Sequence, residues 1–485
     1  MKHIKKIFSI ILVFIFIFIL SSCNKNLDNP VKIAEKLTIL TVNDFHGALE
    51  EEGGKYGISS LVTAFNTIKS SSEATVILSA GDMFQGTAIS NYDHGKTTID
   101  IMNYMQFDAM TLGNHEFDWG LSVMQAYQDG NASNGEANFP FLGCNIYEKE
   151  SNSLPEGVKP YQIVERGGLK IGIVGYMGYG NEVDISVEHV KDYEFKAPVN
   201  IIAENVKKLR TEEKVDIVIV MGHEGNDSNQ QLAKLDGDSR IDAIINSHTH
   251  ARYSGTIKGS NNVDVPYVQA GSAGKYFGLV ELEIDSNSKT VKGGSAVTKT
   301  NDYSQDEYAL SIVNKLLAET APVFQRVIGT ATMDVDRYGA ADWAATALKD
   351  YANADIGVIN SGGIRAQAFP ILKGSAITVA KIHEIMPFDN VLKTVELKGS
   401  DVKTLVSTFV FSNNVVRDNA TGDVYINGEK VQDDKYYLVA SIDYIFDNHQ
   451  YPFFKGQNPV NTGVLFRDIL IDRVEKDQSI ILVNR

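Results

Sequence analysis

The sequence predicts an α/β protein of two unequal units joined by a helix. Short apolar runs alternate with helix-length segments from Leu37 to about Asp285. A stretch with one broad apolar helical face (Leu310, Ile312, Val313, Leu316, Leu317) follows, and a second apolar, glycine-punctuated unit fills the rest. A chain of 485 residues exceeds one ordinary core. A hydrophobic content of 43% and a charged content of 22% are those of a globular protein and exclude a disordered, collagenous or coiled-coil chain.

The first residues stand apart. Lys2, Lys5 and Lys6 precede an almost unbroken apolar run from Ile7 to Leu20, too short for a membrane span and suited to the apolar region of a signal peptide. Leu20-Ser21-Ser22-Cys23 resembles the bacterial lipoprotein cleavage box, in which the cysteine becomes the lipidated N-terminus. The expectation is a lipoprotein signal peptide at 1–22 and a polar tether at 23–36. The protein is then exported and lipid-anchored to a bacterial membrane, on its periplasmic or cell-surface side. The other cysteine, Cys144, ends a buried strand as a packing residue, so no internal disulfide is expected. A net charge of −16 repels nucleic-acid polymers and anionic membrane surfaces, leaving the lipid as the only membrane contact. Small phosphorylated substrates remain compatible, because bound cations reverse the local field.

The predicted strands of the first unit are 37–43, 75–80, 109–113, 141–145, 170–175, 216–222, 242–247, 265–270 and 279–284. Several are apolar at every position, as strands covered on both faces are. Helices are expected at 58–70, 98–105 and 198–210 between them, and 285–300, polar with a Gly-Gly pair, reads as a tail leaving the unit.

What ends these strands carries the chemistry. Asp44-Phe45-His46, Gly81-Asp82, Gly113-Asn114-His115-Glu116-Phe117-Asp118, Gly222-His223 and His248-Thr249-His250 each follow a strand. Ligand sites of α/β sheets form beyond the carboxyl ends of strands, so groups far apart in sequence can meet there. Asp44 and His46, like His248 and His250, are spaced i, i+2, which on extended chain aims both side chains the same way. Gly81, Gly113 and Gly222 each precede a candidate ligand, where a bare backbone bends tightly. A donor set of Asp, Asn and His suits Mn, Zn, Fe or Co better than calcium and lacks the thiolates of structural zinc.

In order and spacing these blocks resemble the calcineurin-like metallophosphoesterases. The strings Asn43-Asp-Phe-His-Gly47, Gly81-Asp-Met-Phe-Gln-Gly-Thr87 and Leu112-Gly-Asn-His-Glu-Phe-Asp118 are similar to the bacterial 5'-nucleotidase and UDP-sugar hydrolase branch. The resemblance implies a four-layer α/β/β/α sandwich over 37–300, a linker helix at 301–325 and a smaller α/β substrate-binding domain at 326–485. It implies two divalent metal ions, one held by Asp44, His46, Asp82 and His250 and the other by Asp82, Asn114, His223 and His248. His115, oriented by Asp118, is then the catalytic residue, while Glu116 and Glu224 take supporting or structural places.

In the second unit, Asn360-Ser-Gly-Gly-Ile-Arg365, Pro387-Phe-Asp-Asn390 and Tyr444 resemble the 5'-nucleotidase C-terminal domain. That resemblance implies substrate binding by Asn360, Gly363, Arg365, Phe388, Asn390 and Tyr444, with the two aromatics stacking on a nucleobase. Asp447-Asn-His-Gln450 departs from the Gly-Gly-Asp-Gly loop usual in relatives, and Arg337 is the substitute candidate for a missing phosphate contact. The expected activity is that of a 5'-nucleotidase-like phosphohydrolase. The alternatives are a 2',3'-cyclic-nucleotide 2'-phosphodiesterase with 3'-nucleotidase activity, a UDP-sugar or dinucleotide pyrophosphatase, and, outside enzymes, a surface binding lipoprotein on the same scaffold. The oligomeric state has no signature in the sequence.

Overall fold

A computed structural model of the chain describes residues 32–51, 56–131, 133–480 and 482. The leader, Cys23 and most of the expected tether lie outside the described residues. The end of that tether belongs to the fold: Ala34 is buried, its amide donates to the Gly167 carbonyl (2.8 Å), and Lys36 opens the first strand. Among the described residues no helix is long and apolar enough to cross a membrane.

Two sheets face each other in the first unit. One runs Thr290–Thr300, Tyr276–Asp285, Lys36–Val42, Thr75–Ser79, Ala109–Thr111, Phe141–Leu142, Val158–Lys159 in spatial order. The other runs Arg252–Lys258, Asp264–Ala270, Ala243–Ile245, Ile217–His223, Leu169–Met177, Tyr161–Arg166. Their central strands are parallel; antiparallel strands close both sides of the second sheet and one side of the first, whose other edge, Val158–Lys159, stays parallel. Alternate residues face opposite ways. Leu37, Ile39, Val76 and Leu78 meet Ile171, Ile173, Ile217 and Ile219 between the sheets. Leu40, Val42 and Ile77 turn outward onto the helix Ile58–Ser70, which offers Ile58, Leu61, Val62 and Phe65 at helical spacing. Val174, Val218 and Val220 turn onto the helix Pro198–Thr211 and its Ile202, Val206 and Leu209. The result is the four-layer α/β/β/α order. Each buried aliphatic side chain contributes roughly 1.5–3 kcal/mol, which is why these strands are apolar at nearly every position.

Two sequence expectations fail here for physical reasons. The polar stretch read as a tail at 285–300 contains the strand Thr290–Thr300, which pairs along its length with Tyr276–Asp285. An antiparallel edge strand needs apolar groups on one face at most, so its composition looks like a loop. The strand expected over 141–145 stops at Leu142, and Cys144 packs in the second sheet's outer core.

The helix Glu307–Phe324 joins the units, with Asp306 at its N-cap accepting from the Ala309 amide (2.9 Å). It packs on the first unit through Ala309, Val313 and Leu316, and Phe324 stands edge-on to Tyr92 on one side and His383 on the other. The second unit is built on a five-stranded sheet, Val410–Phe411, Ile356–Ile359, Tyr436–Ile442, Val391–Lys398, Gln457–Leu465, packed with the helices Arg337–Ala352, Gly399–Thr408 and Phe466–Asp477. Replacing Asp306 by alanine is expected to lower unfolding stability by about 1 kcal/mol through loss of the cap, read from denaturant midpoints at unchanged slope.

Candidate metal centre and active-site cleft

The parallel strands Lys36–Val42, Thr75–Ser79 and Ala109–Thr111 deliver Asp44 and His46, Asp82, and Asn114 and His115 to one edge of the first sheet. The parallel strands Ile217–His223 and Ala243–Ile245 deliver His223, His248 and His250 to the same end of the second. All seven candidate ligands come together. His46 Nε2 lies 3.0 Å from His250 Nε2 and 3.9 Å from Asp82 Oδ2, and His250 Nε2 lies 3.9 Å from Asp44 Oδ1. His223 Nε2 is 3.2 Å from Asp82 Oδ2 and 2.9 Å from Asn114 Oδ1, which is 3.1 Å from His248 Nδ1.

The outer nitrogens of two rings are already committed. His46 Nδ1 meets the Gln85 carbonyl (3.0 Å) and His223 Nδ1 the Ala80 carbonyl (2.9 Å). Each ring therefore donates outward from Nδ1 and turns its Nε2 lone pair inward. Lone pairs of imidazole, carboxylate and amide oxygen facing one another at about 3 Å repel unless a cation lies among them. The donor set fits divalent metal ions.

The backbone differs from the extended chain that the i, i+2 spacing suggested. Asp44, His46, Asp82, His248 and His250 all have left-handed φ, between 49° and 70°. The Asp44/His46 and His248/His250 pairs converge because the chain curls at these residues, not because alternate residues share a face. Such a conformation costs roughly 1–2 kcal/mol per non-glycine residue, so five together approach the net stability of a domain. The neighbouring bonds have to hold them. Glu116 does much of this, accepting from the amides of Asp82 (2.8 Å), Met83 (2.9 Å) and Gly113 (2.7 Å), and so clamps two ligand loops together. Asn43 ties the first loop to the strand Asp264–Ala270 and its exit, donating to Asp44 Oδ2 (2.6 Å) and the Gly271 carbonyl (2.9 Å) and accepting from the Ala270 amide (2.9 Å).

The glycines serve two purposes. Gly81 has φ +94°, and a Cβ there would lie 2.7 Å from the Gly113 amide nitrogen; a Cβ on Gly113 would meet Asp82 Oδ1 at 2.2 Å. Gly222 makes no bend. It lies inside a strand, and a Cβ would strike the Tyr176 ring at 2.2 Å. That ring's hydroxyl donates to Glu224 (2.9 Å), which gives Glu224 its structural role.

Electrostatics follow from this crowding. Burial pushes the Asp44 carboxyl up to about 6 against the pull of His223. Burial also opposes charge on Asp82, but the imidazoles of His223, His115 and His46 outweigh it and hold the group well below the usual carboxylate range. Burial lowers His250 to about 4, so its ring is neutral. For His115, burial is outweighed by Asp118 and Asp82, which raise it to about 9; its Nδ1 lies 2.7 Å from Asp118 Oδ2.

Above the centre lies a cleft of about 720 Å³ between the two units. The second unit lines it with Asn360, Gly363, Arg365, Phe388, Asn390 and Tyr444, all six candidate substrate residues. Register explains the gathering. Ile356–Ile359 runs parallel to Tyr436–Ile442, so the Asn360 turn and Tyr444 leave from one edge, and the antiparallel strand Val391–Lys398 begins there, just after Asn390. Asn390 Nδ2 donates to Asp443 (2.8 Å), and Asn360 Oδ1 is buried without a partner. Phe388 stacks on His115 (centroids 5.7 Å, planes 18° apart) and carries the Arg365 guanidinium at 5.5 Å. Arg337 does not reach for a ligand: Nε donates to the Ile364 carbonyl and Nη2 to that of Ser361, bracing the glycine turn from behind. His449 is exposed and outside the cleft.

The sequence alone passes over several cleft residues. Pro387 is held by Gln85 Nε2 (3.0 Å) and Asn91 Nδ2 (2.7 Å) of the first unit, which fixes Phe388 over the centre. His94, Trp119, Asp184, Ser186 and His189 also line the walls. Gln85 belongs to the string around Asp82 and was marked by it; nothing local marks Asp184 or His189.

Comparison with known proteins agrees with this geometry. Residues 37–252 match the model of the calcineurin-like phosphoesterases, and 327–425 match the 5'-nucleotidase C-terminal domain. A snake venom 5'-nucleotidase of Crotalus adamanteus is 26% identical over 416 residues, covering 76% of this chain and 69% of the relative. The UshA protein of Yersinia enterocolitica is 25% identical over 511 residues, covering 91% of each chain. The crystal structure of a 5'-nucleotidase precursor from Thermus thermophilus superposes with a TM-score of 0.76 at 23% identity, covering 93% of this chain and 98% of that one. The chain carries a calcineurin-like phosphoesterase domain followed by a 5'-nucleotidase C-terminal domain.

Proposed function

We propose that this protein is an exported dimetal phosphohydrolase that releases phosphate from nucleotides, giving nucleoside and phosphate as a 5'-nucleotidase does. The convergence of seven inward-facing donors beneath a cleft whose opposite wall carries a glycine turn, an arginine and two aromatics carries this reading. In the assignment we favour, Asp44, His46, Asp82 and His250 hold one divalent ion and Asp82, Asn114, His223 and His248 the other, with Mn, Zn, Co or Fe suiting the donors. When bound, such ions lower the pKa of a water and neutralise charge on phosphoryl oxygens.

The protein's own groups do the rest. Arg365 and the Asn360–Gly363 turn bind the phosphate, the arginine by its forked donors. Phe388 and Tyr444 take the base, and Asn390, held by Asp443, faces the same space. His115, kept charged by Asp118 and Asp82, donates a proton from Nε2 to a phosphoryl oxygen or the departing alkoxide. Phosphate release from a panel of 5'-, 3'- and cyclic nucleotides and nucleotide sugars, with Mn, Zn or Co, tests the activity; no turnover of any of them would refute it. Export and lipid attachment at Cys23 rest on the leader and its cleavage box.

His115→Asn is expected to keep two equivalents of metal by elemental analysis while kcat falls by about two to four orders of magnitude. Metal lost along with activity would make His115 a ligand. His115 must be protonated to act as an acid, so activity is present below its pKa of about 9 and declines as pH rises through it. Asp118→Asn removes the stabilising carboxylate and is expected to move that alkaline limb of kcat down by about one pH unit or more. Cys23→Ser is expected to shift the protein from the membrane to the soluble fraction; unchanged sedimentation with membranes would refute the anchor.

A further inference from the structure

One wall of the cleft comes from a segment of the first unit, residues 178–190, that the chemistry above does not use. It is tied to both ends of the site. Gly178 N (3.1 Å) and Asn181 Nδ2 (2.8 Å) both donate to the carbonyl of His223, so the segment, leaving the strand Leu169–Met177, is tied to the end of the neighbouring ligand strand. Asp184 Oδ2 lies 3.5 Å from His248 Nε2, the ring nitrogen turned away from Asn114. At the other end, the Tyr444 hydroxyl donates to the Val183 carbonyl (3.3 Å), joining the segment to the aromatic that faces it across the cleft. Ile185 and Val190 are buried and pin the segment down.

Between these two anchors, Ser186 and His189 line the cleft. His189 Nδ1 is buried and has no hydrogen-bond partner. Leaving such an atom unsatisfied costs about 1–3 kcal/mol, and its position on a ligand-facing wall accounts for it if a substrate atom completes the bond. An imidazole nitrogen donates when it carries a proton and accepts when it does not, and a serine hydroxyl does both, so the pair suits hydroxyl, amino or ring-nitrogen groups.

We propose that Ser186 and His189 bind the nucleoside part of the substrate, hydrogen-bonding a sugar hydroxyl or the polar edge of a base that lies against Tyr444. This assigns a specificity-determining role to a segment of the metal-bearing unit and rests on the nucleotide phosphohydrolase reading. The segment is fixed at once to the end of the cleft where phosphate reacts and to the end where the base stacks. What lies between them in a nucleotide is the sugar and the base edge.

The test uses the full metal-loaded protein with purine and pyrimidine ribonucleoside 5'-monophosphates, their 2'-deoxy counterparts, and 4-nitrophenyl phosphate, which has no nucleoside. His189→Ala is expected to lower the ratio of kcat/KM for ribonucleotides over that for 4-nitrophenyl phosphate about tenfold, chiefly through KM, the loss expected of one good hydrogen bond. Ser186→Ala is expected to move the ratio the same way. A larger fall for ribo- than deoxyribonucleotides supports the sugar contact, and a fall that differs between purines and pyrimidines supports the base edge. An equal fall on 4-nitrophenyl phosphate, or no fall in either variant, overturns the proposal. A wild-type protein that hydrolyses 4-nitrophenyl phosphate but no nucleotide fails earlier, at the functional reading itself, and is seen before any variant is made.

Discussion

Everything in the active site hangs on the mutual approach of acceptor atoms that, left to themselves, repel. Asp82 stands at the middle, its carboxylate within 3.2 Å of His223 Nε2 and 3.9 Å of His46 Nε2, with the His115 amide donating to its other oxygen (3.0 Å). Two constraints permit this. Cations offset the electrostatic cost, and the fold over-determines the backbone so that the ligands cannot spread apart. Glu116 is the clearest instance of the second, since one buried carboxylate accepts from three amides on two ligand loops. Its own pKa, pushed up to about 7 by burial and by Asp82, records how tightly negative charge is packed there.

The same crowding explains why glycine is required at Gly81 and Gly113 and why left-handed φ recurs at five ligand positions. A loose loop carrying the same residues would relax into ordinary conformations and separate them. Stored strain, hydrogen-bond clamps and a covered double sheet are therefore parts of one device, and the sandwich core supplies the stability that lets the site remain strained.

The shape of the cleft also depends on a contact between the two units. Pro387 is gripped by Gln85 and Asn91 from below, while Arg467 donates to its carbonyl (3.2 Å) and to that of Phe388 (3.3 Å) from its own unit. Phe388 is thereby set on the ring of His115, so a residue of the second unit and one of the first share a wall of the cleft. The Tyr444 hydroxyl on the Val183 carbonyl makes a second bridge at the far side of the cleft. A substrate held here touches both units at once, which links binding to their relative placement.

The sequence by itself determined the α/β class, the positions of the inner strands and the side chains that gather as candidate ligands. Apolar runs such as 217–221 have no stable place except a doubly covered sheet, and Asp, Asn and His concentrated at strand ends have few other uses. It misjudged Thr290–Thr300, because an edge strand's composition does not differ from that of a loop, and it explained the ligand pairs by an extended chain that the left-handed φ values of Asp44, His46, His248 and His250 rule out. Only the tertiary structure decided how the ligand loops are held, by Asn43 and Glu116, and which residues of distant sequence, His94, Asp184 and His189 among them, wall the cleft. The reason is physical. Periodicity and donor chemistry are local properties of a chain, whereas the closing of hydrogen bonds across loops depends on distances that exist only once the sheets have packed.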